Sequence, residues 1–507
     1  MFRVFRKIPI GFRALAFIVL ILLCQSARAG KNVIIMISDG AGCNTWLATS
    51  MYQGKVGTQV YDGASWRHYL VSTFPLNTSP HPTHDNRQDP SLVYDPAKYW
   101  DRTPLNAAAS SPAARFAGYL FATQAATDSS AAASAMSMGV KTFNHSVNWS
   151  NDDKPMRGQT IAELAKAQGK GVGVVTTVLL SDATPVGLGG AHNVNRSAYA
   201  ELANELFDAP WIDVLMGAGH PRFDDDGEEL TVKTPDSQWA YVGGQKTWER
   251  LKAGRHPAGW TFIETKAEFE SLTQLSPPPR KVAGIAQVAS ALQCNRSNSR
   301  ENRQAGAKPI LVGGRGLAEV NNDKSLKPFE TPFNQNVPSL ATMASGAIHC
   351  LESNPNGFFL MIEGGAVDWA NHVNNPGRMI EEQIDYLAAV ETVVQWVEAH
   401  GGWEETLLIL TADHETGMLW GPQSDTVPFQ PLFDNGRGSV PGLKFLSNVH
   451  TNSLTPLYAR GAGSERLADL VRGVDSAAAK TWSVSGRFVD NTDVFTVMRD
   501  AVLAPAE

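Results

Sequence analysis

Short apolar runs recur along the chain, and each ends at glycine, aspartate, threonine or histidine. These runs are rich in Val, Ile and Leu and do not alternate regularly between apolar and polar positions. Continuous runs of this length are typical of strands that are buried on both faces of a sheet. The pattern predicts strands at residues 32–40, 171–184, 213–219, 308–314, 357–365 and 406–414.

Two segments between these runs have helical periodicity. Residues 160–169 end at a glycine, which is a signal for a helix C-terminus. Strands that alternate with helices predict an α/β fold with a mainly parallel central sheet flanked by helices on both faces. Residues 378–402 place six apolar side chains on one helical face: Ile380, Ile384, Leu387, Val390, Val394 and Val397.

Two longer stretches lack sustained periodicity and carry many Pro, Asn, Ser and charged residues. They span about 66–118 and 220–306. No internal repeat is visible in the 507 residues. We interpret residues 30–507 as a single domain and the two stretches as insertions on its surface.

The first 29 residues predict a targeting signal and not a part of the fold. A basic start, a short apolar run and the small-x-small triplet at 27–29 are typical of a secretory signal peptide cleaved after Ala29. A lipid anchor on Cys24 is the alternative, but Leu23 stands where a small residue is expected. The signal predicts a periplasmic or secreted protein with no membrane span in the mature chain.

Export would place the remaining cysteines in an oxidising environment. Cys43, Cys294 and Cys350 make an odd number, so at least one thiol is unpaired within a monomer. The favoured bridge is Cys294–Cys350, and three free cysteines are the alternative. No cysteine spacing typical of a metal site occurs, so other side chains would have to hold a metal.

The overall charge is mildly acidic. The formal net charge is −7 and the sequence pI is about 6.0. This argues against nucleic acid as the main partner, because binding its backbone needs a basic face. An anionic small molecule is not excluded, because a local site can be positive on an acidic protein.

Acidic side chains and a histidine follow the predicted strands. In parallel sheets, ligands bind beyond the carboxyl ends of the strands. Carboxylates gathered at that edge would repel one another unless cations lay between them, so we expect metal ions there. The residues concerned are Asp39, Asp182, Thr184, Glu363, Asp368, Asp413 and His414.

Three motifs offer the donor atoms that zinc prefers, carboxylate oxygen and imidazole nitrogen. Asp368 and His372 are spaced i, i+4, so they face one side of a helical turn. Asp413 and His414 end a strand, where a turning backbone can bring both side chains to one ion, and His450 lies in a later loop. Taken singly, the three motifs fit equally well a surface pair, a turn and a solvated histidine.

The remaining candidates are oxygen donors and one cation. Asp39 follows the first strand and is placed either to bridge two ions or only to form an Asp-Gly turn. Thr184 and Glu363 offer hard oxygen atoms, which suit magnesium. Arg196 offers a planar fork for phosphate oxygens, although a single arginine in a polar loop is ordinarily a surface residue.

The stretch 125–142 consists almost entirely of small residues around Asp128. It is a linker, an ordinary Ala-rich helix, or a helix that presents a hydroxyl group at its N-terminus. A helix N-terminus offers amide donors and a positive dipole end to a phosphate. Asp128 or Ser129 would cap such a helix, which would end near Gly139. The third possibility would make Asp128 and Ser129 the start of an active site.

The order of these motifs resembles the alkaline phosphatase family from about residue 31 to 503. The similar segments are Thr-Asp-Ser with a following Met-Gly-Val-Lys-Thr, Gly-Phe-Phe-Leu-Met-Ile-Glu, Thr-Ala-Asp-His, a late His-Thr, and Asp-Asn-Thr-Asp-Val-Phe at 490–495. The resemblance implies a phosphate monoester hydrolase that acts through a phosphoseryl intermediate on diverse phosphomonoesters. It also implies a homodimer. Ser129, which directly follows Asp128, is then the predicted nucleophile, and Ser130, one residue deeper in the helix, is predicted as a first-turn residue.

The resemblance further implies two zinc ions and one magnesium ion. One zinc would be held by Asp368, His372 and His450, and the other by Asp39, Asp413 and His414, in contact with Ser129. Magnesium would lie between Asp39, Thr184 and Glu363. The substrate phosphate would be bound by Asp128, Ser129, Arg196, Asp182 and Trp369, with Arg196 as its clamp. Asp182 stands where animal members carry His, and Trp369 where others carry Lys or His.

Three alternatives accompany this hypothesis. A phosphodiesterase of the same superfamily would lack the full set of ligands, whereas a candidate for every ligand is present. A sulfatase would need a Cys-x-Pro-x-Arg or Ser-x-Pro-x-Arg segment at its nucleophile, and Ser129 is not in such a segment. A non-catalytic zinc- or phosphate-binding protein would be expected to have lost Ser129 or a ligand.

Overall fold

A central sheet of eleven strands organises the part of the chain that the computed structural model describes, residues 30–231, 234–297 and 327–503. In chain order the strands are β1 (Asn32–Ser38), β2 (Arg67–Ser72), β3 (Trp149–Ser150), β4 (Lys154–Pro155), β5 (Gly171–Leu179), β6 (Val214–Ala218), β7 (Thr261–Ile263), β8 (Val282–Ile285), β9 (Phe358–Gly364), β10 (Thr406–Thr411), β11 (Glu415–Thr416), β12 (Leu419–Trp420), β13 (Lys444–Phe445), β14 (His450–Thr451), β15 (Thr455–Gly461), β16 (Gly473–Val474) and β17 (Arg487–Asp490). Three two-stranded ribbons, β3-β4, β11-β14 and β12-β13, lie outside this sheet.

The sheet is mainly parallel, as the sequence predicts. Its spatial order is β16-β17-β2-β15-β10-β1-β9-β5-β6-β8-β7. The strands from β10 to β7 in this order all pair in parallel. Strand β15 runs antiparallel to both of its neighbours, β10 and β2, and β16 runs antiparallel to β17. The carboxyl ends of the parallel strands therefore meet at one edge.

Five of the six predicted strands are present, as β1, β5, β6, β9 and β10. Each ends one to five residues before the predicted end, because the last predicted residues belong to the connection that follows. The sixth prediction, 308–314, lies outside the described residues.

Helices connect the strands. In chain order they are Cys43–Gln53, Pro96–Tyr99, Ala117–Thr123, Ser129–Met138, Ile161–Ala167, Ala183–Leu188, Tyr199–Asp208, Asp236–Ala240, Gln245–Lys252, Lys266–Ser271, Leu340–Leu351, Ala366–His372, Pro376–Ala399, Gly402–Glu405, Ser476–Trp482 and Asn491–Leu503. Short 3-10 turns occur at Pro112–Ala114, Leu272–Gln274 and Ser464–Leu470.

Both predicted helices are confirmed. The first, Ile161–Ala167, begins with a capping box in which the Thr160 hydroxyl accepts from the Glu163 amide and the Glu163 carboxylate accepts from the Thr160 amide. The second, Pro376–Ala399, begins two residues before the prediction because Asn375 caps it. Of its six predicted apolar positions, five are buried and Ile384 is half-buried.

Helices cover both faces of the sheet. The side chains of β1 alternate between two hydrophobic clusters, with Val33, Ile35 and Ile37 in one and Ile34 and Met36 in the other. Helices Leu340–Leu351 and Pro376–Ala399 supply buried residues to the Ile34 cluster. Helices Ile161–Ala167, Tyr199–Asp208 and Asn491–Leu503 supply the Val33 cluster. The predicted α/β fold with two helical layers is confirmed.

The two stretches that we interpreted as surface insertions, 66–118 and 220–306, also contribute to the core. The first supplies β2, and the second supplies β7 and β8 to the outer part of the sheet. The rest of the first stretch packs its aromatic rings in a third cluster, where Tyr99 and Tyr119 contact Phe429. These segments are therefore more than surface elaborations.

The structure also bears on the termini and the thiols. Cys43, Cys294 and Cys350 are all free, so the predicted Cys294–Cys350 bridge is wrong and the alternative of three free cysteines holds. The predicted signal peptide and the lipid-anchor alternative at Cys24 lie outside the described residues. Over the ranges that the structure covers, every helix is too short or too polar to cross a membrane.

Candidate active site

The predicted ligands gather at the carboxyl edge of the sheet because three parallel neighbours end there. Strand β1 leads into Asp39, β9 carries Glu363, and β10 leads into Asp413 and His414. The short helix Ala366–His372 follows β9 and carries Asp368 and His372. His450 lies on β14, which pairs with β11 just after His414. Residues far apart in sequence therefore converge.

Asp368, His372 and His450 form the first group of metal donors, with one donor atom of each within 4.8 Å of the others. The two Nε2 atoms of the histidines are 3.1 Å apart, and that of His372 is 3.3 Å from Asp368 Oδ2. Each Nδ1 is within hydrogen-bonding distance of a backbone carbonyl, that of Asn448 at 2.7 Å and that of Thr127 at 2.9 Å. With Nδ1–H donating to a carbonyl, Nε2 presents its lone pair to the group centre.

Asp39, Asp413 and His414 form the second group of donors, again within 4.8 Å of one another. His414 Nε2 is 3.2 Å from Asp413 Oδ2 and 3.6 Å from Asp39 Oδ1. Both carboxylate oxygens are buried without a hydrogen-bond partner. Buried oxygen atoms are rarely left without a partner, so these two fit a cation well.

The pKa values of these carboxylates also favour a bound cation. Burial, together with the charge of Asp368, raises the pKa of Asp413 to about 7. Burial and the charge of Asp413 raise the pKa of Asp39 well above its usual range. Burial lowers the pKa of His414, and the charge of His450 lowers it further. The group thus favours its neutral forms, and a bound cation would reverse this preference for the carboxylates.

The oxygen donors predicted for magnesium lie beside the second group. Glu363 Oε2 accepts from Thr176 Oγ1 at 2.5 Å, and this bond acts to lower the pKa of Glu363. Burial outweighs it and, together with the charges of Asp182 and Asp413, raises the pKa to about 8. The Thr184 hydroxyl is buried without a hydrogen-bond partner. It lies in the helix Ala183–Leu188, which Asp182 caps.

The turn after β1 brings Gly40 very close to the first group. Gly40 has a left-handed φ of 68°, and a Cβ atom there would lie 2.7 Å from Asp368. The Gly40 amide donates to Asp413 Oδ1 at 3.1 Å. The Asp-Gly sequence is therefore both a turn and part of the site, and glycine is required because no larger residue fits.

The small-residue stretch is a buried helix, Ser129–Met138, that begins at the site. Asp128 caps it by accepting from the Ala131 amide, and Gly139 ends it with a left-handed φ of 70°. Ser129 Oγ lies 3.1 Å from His414 Nε2. Ser130 Oγ instead donates to Asp128 Oδ2 at 2.6 Å, within the cap. The two adjacent serines thus face different neighbours, and only Ser129 borders a donor group.

Arg196 lies on the other side of this cap. Its guanidinium donates to Asp128 at 2.9 Å and to Asp182 at 3.2 Å. Burial disfavours the charge, but the two carboxylates outweigh it and raise the pKa of Arg196. Although burial opposes it, Arg196 in turn holds the pKa of Asp128 below its usual range. The cation is fixed close to the start of the Ser129 helix.

Trp369 is the predicted residue that these contacts do not include. It shares the helix Ala366–His372 with two donors, is half-buried, and packs against the hydrophobic cluster that contains Ile34. Its part in substrate binding stays a prediction.

The sequence reasoning missed a residue that connects the two donor groups. Thr416 Oγ1 donates to Asp368 Oδ1 at 2.5 Å and lies 3.3 Å from His414 Nδ1. The residue is fully buried and pairs with His450 across the β11-β14 ribbon. The available signal was a hydroxyl side chain only two residues after His414, in the short strand β11.

Comparisons with known proteins match most of the chain to one family. The family model described as "Alkaline phosphatase" matches residues 117–494, more than half of the chain. Alkaline phosphatase 3 of Bacillus subtilis is 26% identical over 392 residues, which cover 76% of this chain and 61% of that protein. Alkaline phosphatase H of Pseudomonas aeruginosa is 29% identical over 381 residues, 74% of this chain and 73% of its own.

A solved structure extends the likeness to the fold. A mutant of the alkaline phosphatase from the Antarctic bacterium TAB5, with magnesium bound in its M3 site, superposes with a TM-score of 0.56. It is 20% identical, and the match covers 95% of this chain and all of that one. The chain thus spans about three-fifths to three-quarters of the curated relatives above and the whole of this solved structure.

Proposed function

The chain belongs to the alkaline phosphatase family of enzymes, and from that premise we propose that it is a metal-dependent phosphate monoester hydrolase that forms a phosphoseryl intermediate on Ser129. The observation that carries the proposal is the position of Ser129. Its hydroxyl lies 3.1 Å from a donor atom of the second group, at the N-terminus of a helix whose cap holds Arg196.

The residues fit the expected metals. Asp368, His372 and His450 would hold one zinc ion, and the second group would hold another. The oxygens of Asp39, Thr184 and Glu363 suit magnesium, which prefers hard oxygen donors. The support comes from the buried, unpartnered oxygens of Asp39, Asp413 and Thr184 and from the carboxylate pKa values that burial and repulsion raise. Bound divalent cations would supply positive charge for the transition state and let hydroxyl groups lose protons at lower pH.

The protein's own groups perform the remaining parts of the reaction. Ser129 Oγ loses its proton to solvent and attacks phosphorus; the Oγ–P bond forms, the bond between phosphorus and the leaving alcohol oxygen breaks, and that oxygen keeps the electron pair and takes a proton from solvent. Water then loses a proton and attacks the same phosphorus, the Oγ–P bond breaks, Ser129 Oγ takes up a proton, and inorganic phosphate leaves. Arg196 offers a fork of donors to the non-bridging oxygens, and the amides at the start of the Ser129 helix add a positive dipole end.

Asp128 and Asp182 position the clamp. Each accepts from one end of the Arg196 guanidinium, so the side chain is held before substrate arrives. A donor that is already oriented loses less entropy when it binds the phosphoryl group. This pre-organisation is the structural reason to expect action on diverse monoesters, because the contacts we propose involve the phosphoryl group, which all monoesters share.

The sulfatase alternative finds a sequence match away from Ser129. Residues 276–280 read Ser-Pro-Pro-Pro-Arg, which fits Ser-x-Pro-x-Arg. Both end residues of this segment are exposed, and it precedes β8. It therefore lies at the amino edge of the parallel strands, opposite the donor groups, and does not support a sulfatase.

The homodimer and the periplasmic or secreted location are also proposed, on the family resemblance and the predicted signal.

Hydrolysis of an aryl phosphate tests the proposal. The purified protein is compared with and without chelator, beside Ser129→Ala and the matched control Ser130→Ala. We expect activity that chelator abolishes and zinc with magnesium restores, a loss of about 1,000-fold or more in Ser129→Ala, and a far smaller loss in Ser130→Ala. Activity that survives both chelator and Ser129→Ala would overturn the mechanism. Strong cleavage of an aryl diester with little monoester cleavage would favour the phosphodiesterase.

A further inference from the structure

His145 has an unusual position beside the phosphate clamp. Its backbone amide donates to Asp128 Oδ1 at 3.0 Å, and its carbonyl accepts from the Arg196 amide at 2.8 Å. The residue thus joins the cap of the Ser129 helix to the loop that carries Arg196. Both bonds are made by its backbone, so its side chain is not needed to hold this arrangement together.

The backbone at this position would suit glycine better than histidine. The φ of His145 is 69°, in the left-handed region that non-glycine residues seldom adopt. The preceding residue, Asn144, fixes the turn by accepting from the Asp128 amide at 3.2 Å and donating to the Ala126 carbonyl at 3.1 Å. Histidine is one of the few residues besides glycine that are enriched in this conformation, so the turn places a polar side chain beside the clamp.

The His145 side chain is available for a ligand. It is half-buried, and within the ranges that the structure describes its imidazole makes neither a hydrogen bond nor an ion pair. Burial acts to raise the pKa of Asp128, but Arg196 and, by a smaller amount, the charge of the nearby His145 lower it below its usual range. A polar ring next to the clamp therefore faces partly to solvent without a protein partner.

The charges of the clamp leave room for another donor. Arg196 carries one positive charge and is bound to two carboxylates, Asp128 and Asp182. These three side chains together have a net charge of −1 when all are ionised, so on this side of Ser129 they offer a phosphate dianion no surplus positive charge beyond that of the proposed cations. Besides Arg196 itself, His145 is the one residue, among the described residues hydrogen-bonded to Asp128 or Arg196, whose side chain can carry a positive charge.

We propose that His145 is a substrate-binding residue, whose imidazole donates a hydrogen bond to a phosphate oxygen of the substrate and of the product phosphate. This inference rests on the proposed function. It assigns His145 to phosphate affinity and not to the bond-breaking steps, because Ser129 and Arg196 already supply the nucleophile and the transition-state clamp. A contact made equally in the substrate and product complexes changes KM and the inhibition constant of phosphate together.

The test uses the enzyme loaded with zinc and magnesium and three variants. His145→Gly removes the side chain and keeps the backbone conformation, and His145→Asn restores a donor on a residue that tolerates left-handed φ. The matched control is His84→Gly, because His84 also has a left-handed φ, of 59°, but is exposed and donates its amide to the Asn151 carbonyl. Steady-state kinetics on an aryl phosphate and calorimetry with inorganic phosphate are measured for each.

We expect His145→Gly to raise KM, the inhibition constant and the calorimetric dissociation constant of phosphate about tenfold, the size of one charge-assisted hydrogen bond at a half-buried site. kcat should not fall, His145→Asn should recover part of the affinity, and His84→Gly should match the parent. Phosphate affinity within twofold of the parent in His145→Gly would overturn the proposal. A fall in kcat at unchanged phosphate affinity would overturn it too, because the residue would then only position Asp128 and Arg196. If the parent itself lacks phosphatase activity, the proposed function fails instead.

Discussion

Removal of the metals should make the stability of this protein fall as the pH rises. Asp413 is fully buried among other acidic groups, and its pKa is raised from an ordinary 3.8 to about 7. Below about pH 4 the carboxyl is protonated in both the folded and the unfolded protein, and there is no penalty. Between about pH 4 and pH 7 the unfolded chain ionises while the folded apoprotein does not, so the folded state loses stability throughout this window.

The size of this effect follows from the shift. Each pKa unit is worth about 1.4 kcal/mol, so ionising Asp413 costs the folded apoprotein about 4 kcal/mol above pH 7. Because part of the loss already occurs below pH 5, the change between pH 5 and pH 8 is about 3 kcal/mol. Glu363, with a pKa of about 8, contributes a loss of the same sign.

Asp413→Asn isolates the contribution of one group. Asparagine cannot ionise, and its neutral side chain also removes part of the repulsion that raises the pKa values of Asp39 and Glu363. This variant should therefore lose less stability than the parent between pH 5 and pH 8, by about 3 kcal/mol or more. Asp469→Asn is the control, because the Asp469 side chain is 69% exposed. The assay is urea unfolding of chelator-treated protein at pH 5 and pH 8, followed by circular dichroism.

Two results would contradict this expectation. Equal losses in the parent and in Asp413→Asn would show that Asp413 does not carry the penalty. A parent apoprotein that gains stability as the pH rises would show the opposite sign, as expected for carboxylates stabilised by a partner. Added zinc should remove much of the parent's pH dependence, because a cation keeps Asp413 ionised in the folded state.

Three further predictions concern single residues around the site. Thr416→Val should weaken zinc binding about 10- to 100-fold, measured by competition with a chromophoric chelator, because Asp368 and His414 lose a shared partner. Thr416→Ser keeps the hydroxyl and should keep the zinc affinity. The control Thr411→Val removes a hydroxyl bonded to the Pro456 carbonyl and should leave zinc affinity unchanged. Arg196→Lys should lower kcat/KM for an aryl phosphate about 100-fold, because an ammonium group cannot bind two carboxylates and a phosphate in the way that the planar guanidinium does. A loss of less than threefold would contradict the proposed role of Arg196 in phosphate binding. Gly40→Ala should destabilise the protein by about 2 kcal/mol or more in urea unfolding, because the left-handed φ and the contact with Asp368 both oppose a Cβ atom. An unchanged unfolding midpoint would contradict this, because it would show that the turn relaxes freely.

The central parallel strands were predictable because they are buried on both faces. β1, β5, β9 and β10 carry nearly uninterrupted apolar side chains, and short runs of this kind are typical of strands covered by helices on either side. Strand β15 was missed because Thr455–Gly461 mixes Pro456, Tyr458 and Arg460 with its apolar residues. Its position next to β10 depends on partners that are distant in sequence, and so does its antiparallel direction.

The functional site was likewise predictable only in part. Donors at strand ends were predictable, because the topology of parallel strands brings those ends to one edge. The choice between Ser129 and Ser130 needed coordinates, because it depends on which hydroxyl the first helical turn points towards His414. Thr416 and His145 were missed because their importance lies in contacts across the fold, and a threonine or histidine alone carries no such signal in sequence.

Detection of the phosphoserine itself is the most decisive experiment on the proposed mechanism. The metal-loaded protein is mixed with an aryl phosphate at mildly acidic pH, quenched in acid within milliseconds to seconds, digested and analysed by mass spectrometry. We expect a phosphoryl group on Ser129, in a peptide where Ser130 is unmodified, and no label in Ser129→Ala or after chelation. A phosphoryl group on Ser130, or turnover of the parent with no labelled serine in 125–142, would contradict the mechanism.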